Sequence, residues 1–183
     1  WKGENPLKNM RPFRTEEMEM AWLTHDQISL LLGECKRHDH ADLETVVRIC
    51  LATGARWSEA ESLRKSQLSK YKITYTNTKG RKNRTVPISK ELYESLPDDK
   101  KGQLFSDCYG AFRSALERTG IELPAGQLTH VLRHTFASHF MMNGGNILVL
   151  QRVLGHTDIK MTMRYAHFAP DHLEDAVKLN PLN

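Results

Sequence analysis

Apolar residues recur at helical spacing over most of the chain. Ile28, Leu31 and Leu32 fall on one face of a helix that is predicted to begin at a capping box on Thr24 and to end near Gly33. The same periodicity predicts a second helix through residues 43–51 that Gly54 stops, and later helices at about 56–63, 89–96, 108–119, 129–142, 146–154, 157–167 and 170–179.

The pattern changes between residues 72 and 89. β-Branched and aromatic residues lie on either side of a polar, glycine-bearing turn at 78–83, which is typical of a β-hairpin. No internal repeat interrupts the order of elements. The predicted fold class is therefore α+β and mainly α-helical, with one small antiparallel β-sheet.

Composition narrows the class of protein only a little. The chain has 183 residues, of which 39% are apolar, and this suits one compact domain with its own core. A formal net charge of +4 and a pI near 9.0 favour a polyanionic partner without requiring one.

The cysteines and the hydropathy pattern indicate the expected cellular compartment. Cys35, Cys50 and Cys108 are odd in number and far apart, so neither a disulfide framework nor a cysteine zinc site is predicted. No apolar run approaches the roughly 18 residues that cross a bilayer. We expect a soluble protein of a reducing, intracellular compartment. Residues 1–20 are polar and proline-punctuated, so we expect them to be a linker from missing N-terminal domains of a longer polypeptide.

Arg56 follows a Thr-Gly break at the start of a predicted helix, close to the core, where a guanidinium needs an anionic partner. One interpretation is an ion pair of Arg56 with Glu59 or Glu61. Glu59 lies three residues after Arg56 on the same helical face, so in a second interpretation it holds Arg56 in place to bind a different anion.

The hairpin carries a cluster of positive charge. Lys79, Arg81, Lys82 and Arg84 crowd its tip and flank, where a loop can enter a groove of a polyanion. Charged residues are also common at hairpin tips simply because they are exposed to solvent. Without other observations, solvent exposure is the preferred explanation for all four charges.

The segment 128–139 places His130, Arg133 and His134 within about one helical turn, with His130 and Arg133 on a shared face. Two histidines four residues apart allow a zinc site, but Val131 stands where the zincin pattern has glutamate. We assign no role to His139.

Tyr165 raises a chemical question. A break at Gly155 exposes His156, and Tyr165 follows nine residues later. Ionising an ordinary tyrosine at neutral pH costs about 4 kcal/mol, so a reactive phenol needs help from its neighbours. Taken singly, Tyr165 is better explained as a packed amphipathic side chain.

Taken together, the segments TGARWSE, TKGRKNRTVPIS, HVLRH, LGH and RYAH resemble, in order and spacing, the tyrosine recombinases or phage integrases, and most closely integrases of temperate phages. The resemblance covers about residues 22–168. It implies a catalytic domain at 21–169 and a C-terminal tail at 170–183 that contacts another protomer or packs on its own domain. By motif position, the implied roles are nucleophile for Tyr165, phosphate-binding arginines for Arg56 and Arg133, general acid for Lys79, supporting histidines for His130 and His156, and support of the first arginine for Glu59.

The resemblance also implies a function. Members cleave and rejoin DNA strands through a covalent 3′-phosphotyrosine, without cofactor or metal, and here integration and excision of phage DNA in the bacterial host cytoplasm would follow. The expected partners are double-stranded DNA attachment sites, three further copies in a homotetramer, and accessory DNA-bending or directionality proteins. Arg81, Lys82 and Arg84 are expected to make further contacts with DNA. Two alternative functions stay open. The chain could relax DNA in the manner of a type IB topoisomerase, or it could be a non-catalytic DNA-binding module.

Overall fold

Helices dominate the part of the chain that the computed structural model describes, which is residues 20–76, 83–171, 175–179 and 181. The α-helices in chain order are α1 His25–Arg37, α2 Leu43–Thr53, α3 Trp57–Glu61, α4 Lys90–Glu94, α5 Tyr109–Thr119, α6 His130–Met142, α7 Ile147–Leu154, α8 Lys160–Met163 and α9 Asp175–Lys178. Two short 3₁₀ helices lie at Lys65–Gln67 and Ala166–Phe168. Within these ranges, no helix is both long and apolar enough to cross a bilayer.

The three strands form one antiparallel sheet in the order β1 Leu68–Ser69, β2 Lys72–Tyr75 and β3 Arg84–Pro87. Ile73 of β2 pairs with Val86 of β3, and both side chains are buried. The predicted hairpin and the mainly helical α+β class are confirmed. Of the predicted turn at 78–83, only Asn83 lies within the described residues.

Several predicted helix ends are wrong. α1 continues through Gly33 to Arg37, because a glycine within a helix costs only about 1 kcal/mol relative to alanine and the next turn still packs. The predicted helix at 157–167 is instead the single turn of α8 followed by the 3₁₀ helix, so Tyr165 lies between two short elements. In the predicted 170–179 helix, only α9 is described as helical.

Two apolar clusters make up the core, and α6 contributes to both. Val131 and Leu132 at its start pack with α1, α2, α5 and the sheet. Ala137 and Met141 further along pack with α7 and with Tyr165. This helix therefore fixes the segment that carries Tyr165 relative to the larger cluster.

Gly54 ends α2 in a left-handed conformation, with φ +64°, and turns the chain toward α3. A Cβ at this position would lie 2.5 Å from Phe136 Cδ1 and 2.7 Å from Leu154 Cδ2, so backbone freedom and close packing both require glycine here.

We expect Gly54→Ala to lower the free energy of unfolding by about 2 kcal/mol or more, since it combines backbone strain with a steric clash. Gly120→Ala is the matched control, because Gly120 ends α5 at φ +67° and no atom lies within 4 Å of the place where its Cβ would stand. There only strain of about 1 kcal/mol is expected. Urea unfolding of both variants tests this, and equal losses would contradict the role of packing at Gly54.

Candidate active site

Arg56 is positioned by the turn that follows α2. Its backbone is extended, and α3 begins at the next residue. The Arg56 amide donates to Glu59 Oε2 at 2.8 Å, and its Nη1 donates to Glu59 Oε1 at 3.3 Å. The predicted Arg56–Glu59 contact is thus present, whereas Glu61 instead accepts from the Trp57 indole and the Cys108 amide.

Glu59 also binds a second arginine. Arg84 Nη1 and Nη2 donate to the two carboxylate oxygens at 3.0 and 2.6 Å, and Arg84 Nε donates to the Val153 carbonyl at 2.9 Å. Burial by itself would raise the pKa of Glu59, but the hydrogen bonds from Arg84 and the Arg56 amide and the charges of both guanidiniums lower it to about 2. The carboxylate is therefore ionised at neutral pH and holds two cations.

The solvated position expected for Arg84 on the hairpin flank is wrong. Its side chain is buried with its guanidinium over the Tyr75 ring, because on β3 it lies on the same inward face as Val86. This position favours support of Glu59 over direct contact with DNA. The other three hairpin cations, Lys79, Arg81 and Lys82, lie outside the described residues.

Arg133 is 5% exposed and lies between the ends of two helices. Its Nη1 donates to the Gly54 carbonyl at 2.6 Å, and its Nη2 donates to the Leu154 carbonyl at 2.8 Å. Burial, followed by the nearby charges of Arg56 and Arg84, lowers its pKa to about 10, so it stays protonated at neutral pH. Within the described residues, none of its hydrogen bonds goes to a carboxylate.

His156 follows Gly155, which ends α7 in a left-handed conformation. Its Nε2 lies 3.0 Å from Arg133 Nη2, and its Nδ1 lies 2.9 Å from Thr162 Oγ1. Since a guanidinium can only donate, Nε2 must accept, and Nδ1 carries the proton that bonds Thr162. Burial and then the charges of Arg133, Arg56, Arg84 and Arg164 lower the His156 pKa to about 4, which keeps the ring neutral.

Tyr165 is buried, with 3% of its surface exposed, and its hydroxyl lies 2.7 Å from His134 Nδ1. Burial raises its pKa, while the charges of Arg133 and Arg164 act in the opposite direction. The phenol is thus packed as its amphipathic character predicts, yet it lies within the electrostatic field of Arg133.

Two hydrogen-bonded pairs, Arg56 with Glu59 and Arg133 with His156, lie near enough for the charge of Arg56 to act on Arg133. The charge of Arg133 acts in turn on Tyr165. His130 lies at the exposed N-terminal end of α6, with its ring centroid 6.3 Å from that of His134. Among the described residues, no group of three or more His, Cys, Asp or Glu side chains is placed to hold a metal ion.

The sequence alone does not identify three residues that bind side chains of this site. It offers His134 only as a partner in a zinc site, does not single out Thr162, and favours a surface position for Arg84. The alternation of β3 could have revealed Arg84, because Val86 and Ile88 predict an inward-facing residue at 84. No sequence pattern marks the pairing of His134 with Tyr165.

The Glu59 pKa generates a prediction about stability and pH. Because its folded-state pKa is about 2, below the ordinary 4.5, its ionised form stabilises the fold above pH 4.5, and this contribution is lost as the pH falls toward 2. After allowance for partial solvent screening, we expect Glu59→Gln to lose about 2 kcal/mol at neutral pH. Unfolding measured from pH 7 to pH 2.5 should show the difference from the wild type narrowing below pH 4.5.

Glu94→Gln is the control for that experiment, because Glu94 pairs with Lys90 at 3.7 Å and both side chains are largely exposed. Such a pair contributes little to folding, so this variant should follow the wild type at each pH. A Glu59→Gln difference that stays constant with pH would contradict the assigned charge.

Comparisons with known proteins match most of the chain. The phage integrase family matches residues 21–103 and 102–172. The chain is 97% identical over 182 residues to the integrase of Escherichia phage 186, and this match covers the whole chain and 54% of that protein. The chain thus spans about half the length of the curated relatives it matches.

Solved structures show the same fold. The catalytic domain of bacteriophage HP1 integrase aligns with a TM-score of 0.87 and 66% identity, over 90% of this chain and 97% of that one. The XerH site-specific recombinase, in a post-cleavage complex with its palindromic difH substrate, aligns with a TM-score of 0.64 and 22% identity, over 87% of this chain and 53% of that one. The match over most of the chain and the resemblance of its motifs lead to one conclusion: the chain belongs to the phage integrase family.

Proposed function

We propose that this chain is the catalytic part of a site-specific DNA recombinase that cleaves and rejoins strands through a 3′-phosphotyrosine. The single observation that carries the proposal is the buried Arg133 guanidinium, which has no hydrogen-bonded carboxylate among the described residues and lies in the fields of Arg56 and Tyr165. A buried cation in this state attracts an anion, and a planar guanidinium binds two phosphate oxygens at once.

Arg56 and Arg133 would share the scissile phosphate. Attack on a phosphodiester adds negative charge to the non-bridging oxygens, so cations fixed in advance stabilise the transition state more than the ground state. Glu59 and Arg84 support this arrangement, since Glu59 restrains Arg56 without contacting Arg133 through a hydrogen bond.

The proposed residues account for each bond and each proton in the cleavage step. The Tyr165 oxygen bonds phosphorus while its proton passes to an imidazole, and His130 is the proposed acceptor. The bond from phosphorus to the 5′ oxygen breaks, and that oxygen takes a proton from Lys79, the predicted general acid. The ester bond is conserved in the phosphotyrosine, so religation needs no nucleotide.

His156 has a second task in this scheme. In the described structure its Nε2 accepts from Arg133, so it orients that guanidinium. Donation to a phosphate oxygen would need a proton on Nε2, gained by protonation of the ring or by a change of tautomer in which Thr162 donates to Nδ1.

DNA is the proposed partner, and recombinases of the same fold have been solved with it, XerH on difH among them. Binding through phosphates is expected to weaken steeply with salt. The same proposal includes assembly of four copies on paired attachment sites, the action of accessory proteins, and a location in the host cytoplasm. It also includes the assignment of residues 1–20 as a linker and of residues 21–169 as the catalytic domain.

A duplex nicked near the cleavage site tests the chemistry, because the short cleaved fragment escapes and traps the covalent adduct. We expect an adduct on denaturing gels in the presence of EDTA, none with Tyr165→Phe, and a loss of at least about a hundredfold with Arg133→Lys, since lysine cannot replace the planar fork. Tyr109→Phe is the control, as Tyr109 is exposed and packs edge-on against Trp57.

Binding without an adduct would favour a non-catalytic module, and loss of the adduct in EDTA would favour metal-dependent hydrolysis. Transfer of strands between two labelled duplexes separates recombination from relaxation of a single duplex. Relaxation without transfer would leave the topoisomerase-like alternative.

The tail at 170–183 is proposed to dock on a neighbouring protomer, because Val177 and Leu179 near α9 are 70% and 80% exposed. We expect a chain truncated after Ala169 to bind single sites but to lose the tetramer in sedimentation on paired-site DNA. Val177→Ser combined with Leu179→Ser tests the apolar contact within a full-length chain. Tetramers that persist in both variants would assign the tail to its own domain.

A further inference from the structure

We propose that His134, outside the predicted catalytic set, is a positioning residue that holds the hydroxyl of Tyr165 beside the phosphate-binding arginine. The inference rests on the proposed function and adds a residue to it. The direct observation is the 2.7 Å distance from His134 Nδ1 to the Tyr165 hydroxyl.

The position of His134 on α6 explains why it can act this way. It directly follows Arg133, and successive residues point about 100° apart around a helix. Arg133 therefore reaches the ends of α2 and α7, while His134 faces the segment after α8. One helix therefore carries both the phosphate-binding cation and the side chain that bonds the Tyr165 hydroxyl, and the hydrogen bond to His134 relates the phenol to Arg133.

The ionisation of His134 suits a hydrogen-bond acceptor. Burial and then the charges of His130, Arg164 and Arg133 lower its pKa to about 4, so the ring is neutral at pH 7. A neutral imidazole protonated on Nε2 offers a lone pair at Nδ1, and the phenol donates to it. So weak a base does not remove the proton in the resting chain, and its contribution is orientation.

The other contacts of Tyr165 pack its ring but do not fix the direction of its hydroxyl. Tyr165 lies between the single turn of α8 and a 3₁₀ helix, neither of which is long enough to be rigid alone. Its ring packs with Ala137, Met141, Leu150 and Leu154, which are apolar and do not select a direction for the hydroxyl. His134 supplies the polar contact that does, and a misplaced nucleophile can cost about a hundredfold in rate.

The kinetic test uses the nicked duplex at saturating DNA. His134→Ala is expected to form the adduct at least about tenfold more slowly with unchanged DNA affinity, and His134→Asn, whose Oδ1 can replace Nδ1, to stay within about fivefold of the wild type. His139→Ala is the matched control, because this half-buried α6 histidine bonds the Leu23 carbonyl instead and should leave the rate within about twofold.

A spectroscopic test needs no variant of His134. With ¹⁵N-labelled histidine, Tyr165→Phe should move the Nδ1 resonance of His134 and leave that of His139 in place. A His134 resonance that does not respond overturns the inference, as does a His134→Ala rate equal to or faster than the wild type. An inactive wild type with a responsive His134 resonance would instead refute the proposed function and retain the hydrogen bond.

Discussion

The site depends on how one buried cation is stabilised without a carboxylate. The Arg133 guanidinium donates to the carbonyls of Gly54 and Leu154, which lie at the C-terminal ends of α2 and α7. Each helix end carries a partial negative charge of about half an elementary charge. Two such ends stabilise a cation in the interior without the full negative charge of a carboxylate, so less of its attraction for an added anion is cancelled.

A second network keeps the neighbouring cation in place by the opposite means. Glu59 is a full carboxylate, and it is shared between Arg56 and Arg84. Arg84 satisfies both oxygens and also bonds the Val153 carbonyl, so the hairpin strand, α3 and the end of α7 are tied together. Removing either partner would leave an unpaired buried charge, which is costlier than the loss of the pair itself.

α6 connects these networks with Tyr165, the proposed nucleophile. Its first turn packs in the larger apolar cluster, and its later turns pack around Tyr165. Arg133 and His134 lie where the two clusters meet. The phenol is consequently buried, and both packing and a hydrogen bond hold it in place.

The sequence by itself determined the fold class, most helices, the hairpin and the family, since periodicity and the ordered motifs are local properties. It also offered Glu59 and Glu61 as partners of Arg56, because residues a few positions apart at a helix start lie close together, and the structure selects Glu59. Only the tertiary structure decided that Arg84 faces inward onto Glu59, that Arg133 bonds two helix ends, and that His134 meets Tyr165. These contacts join residues 21 to 79 positions apart, and such separations are set by how the elements pack.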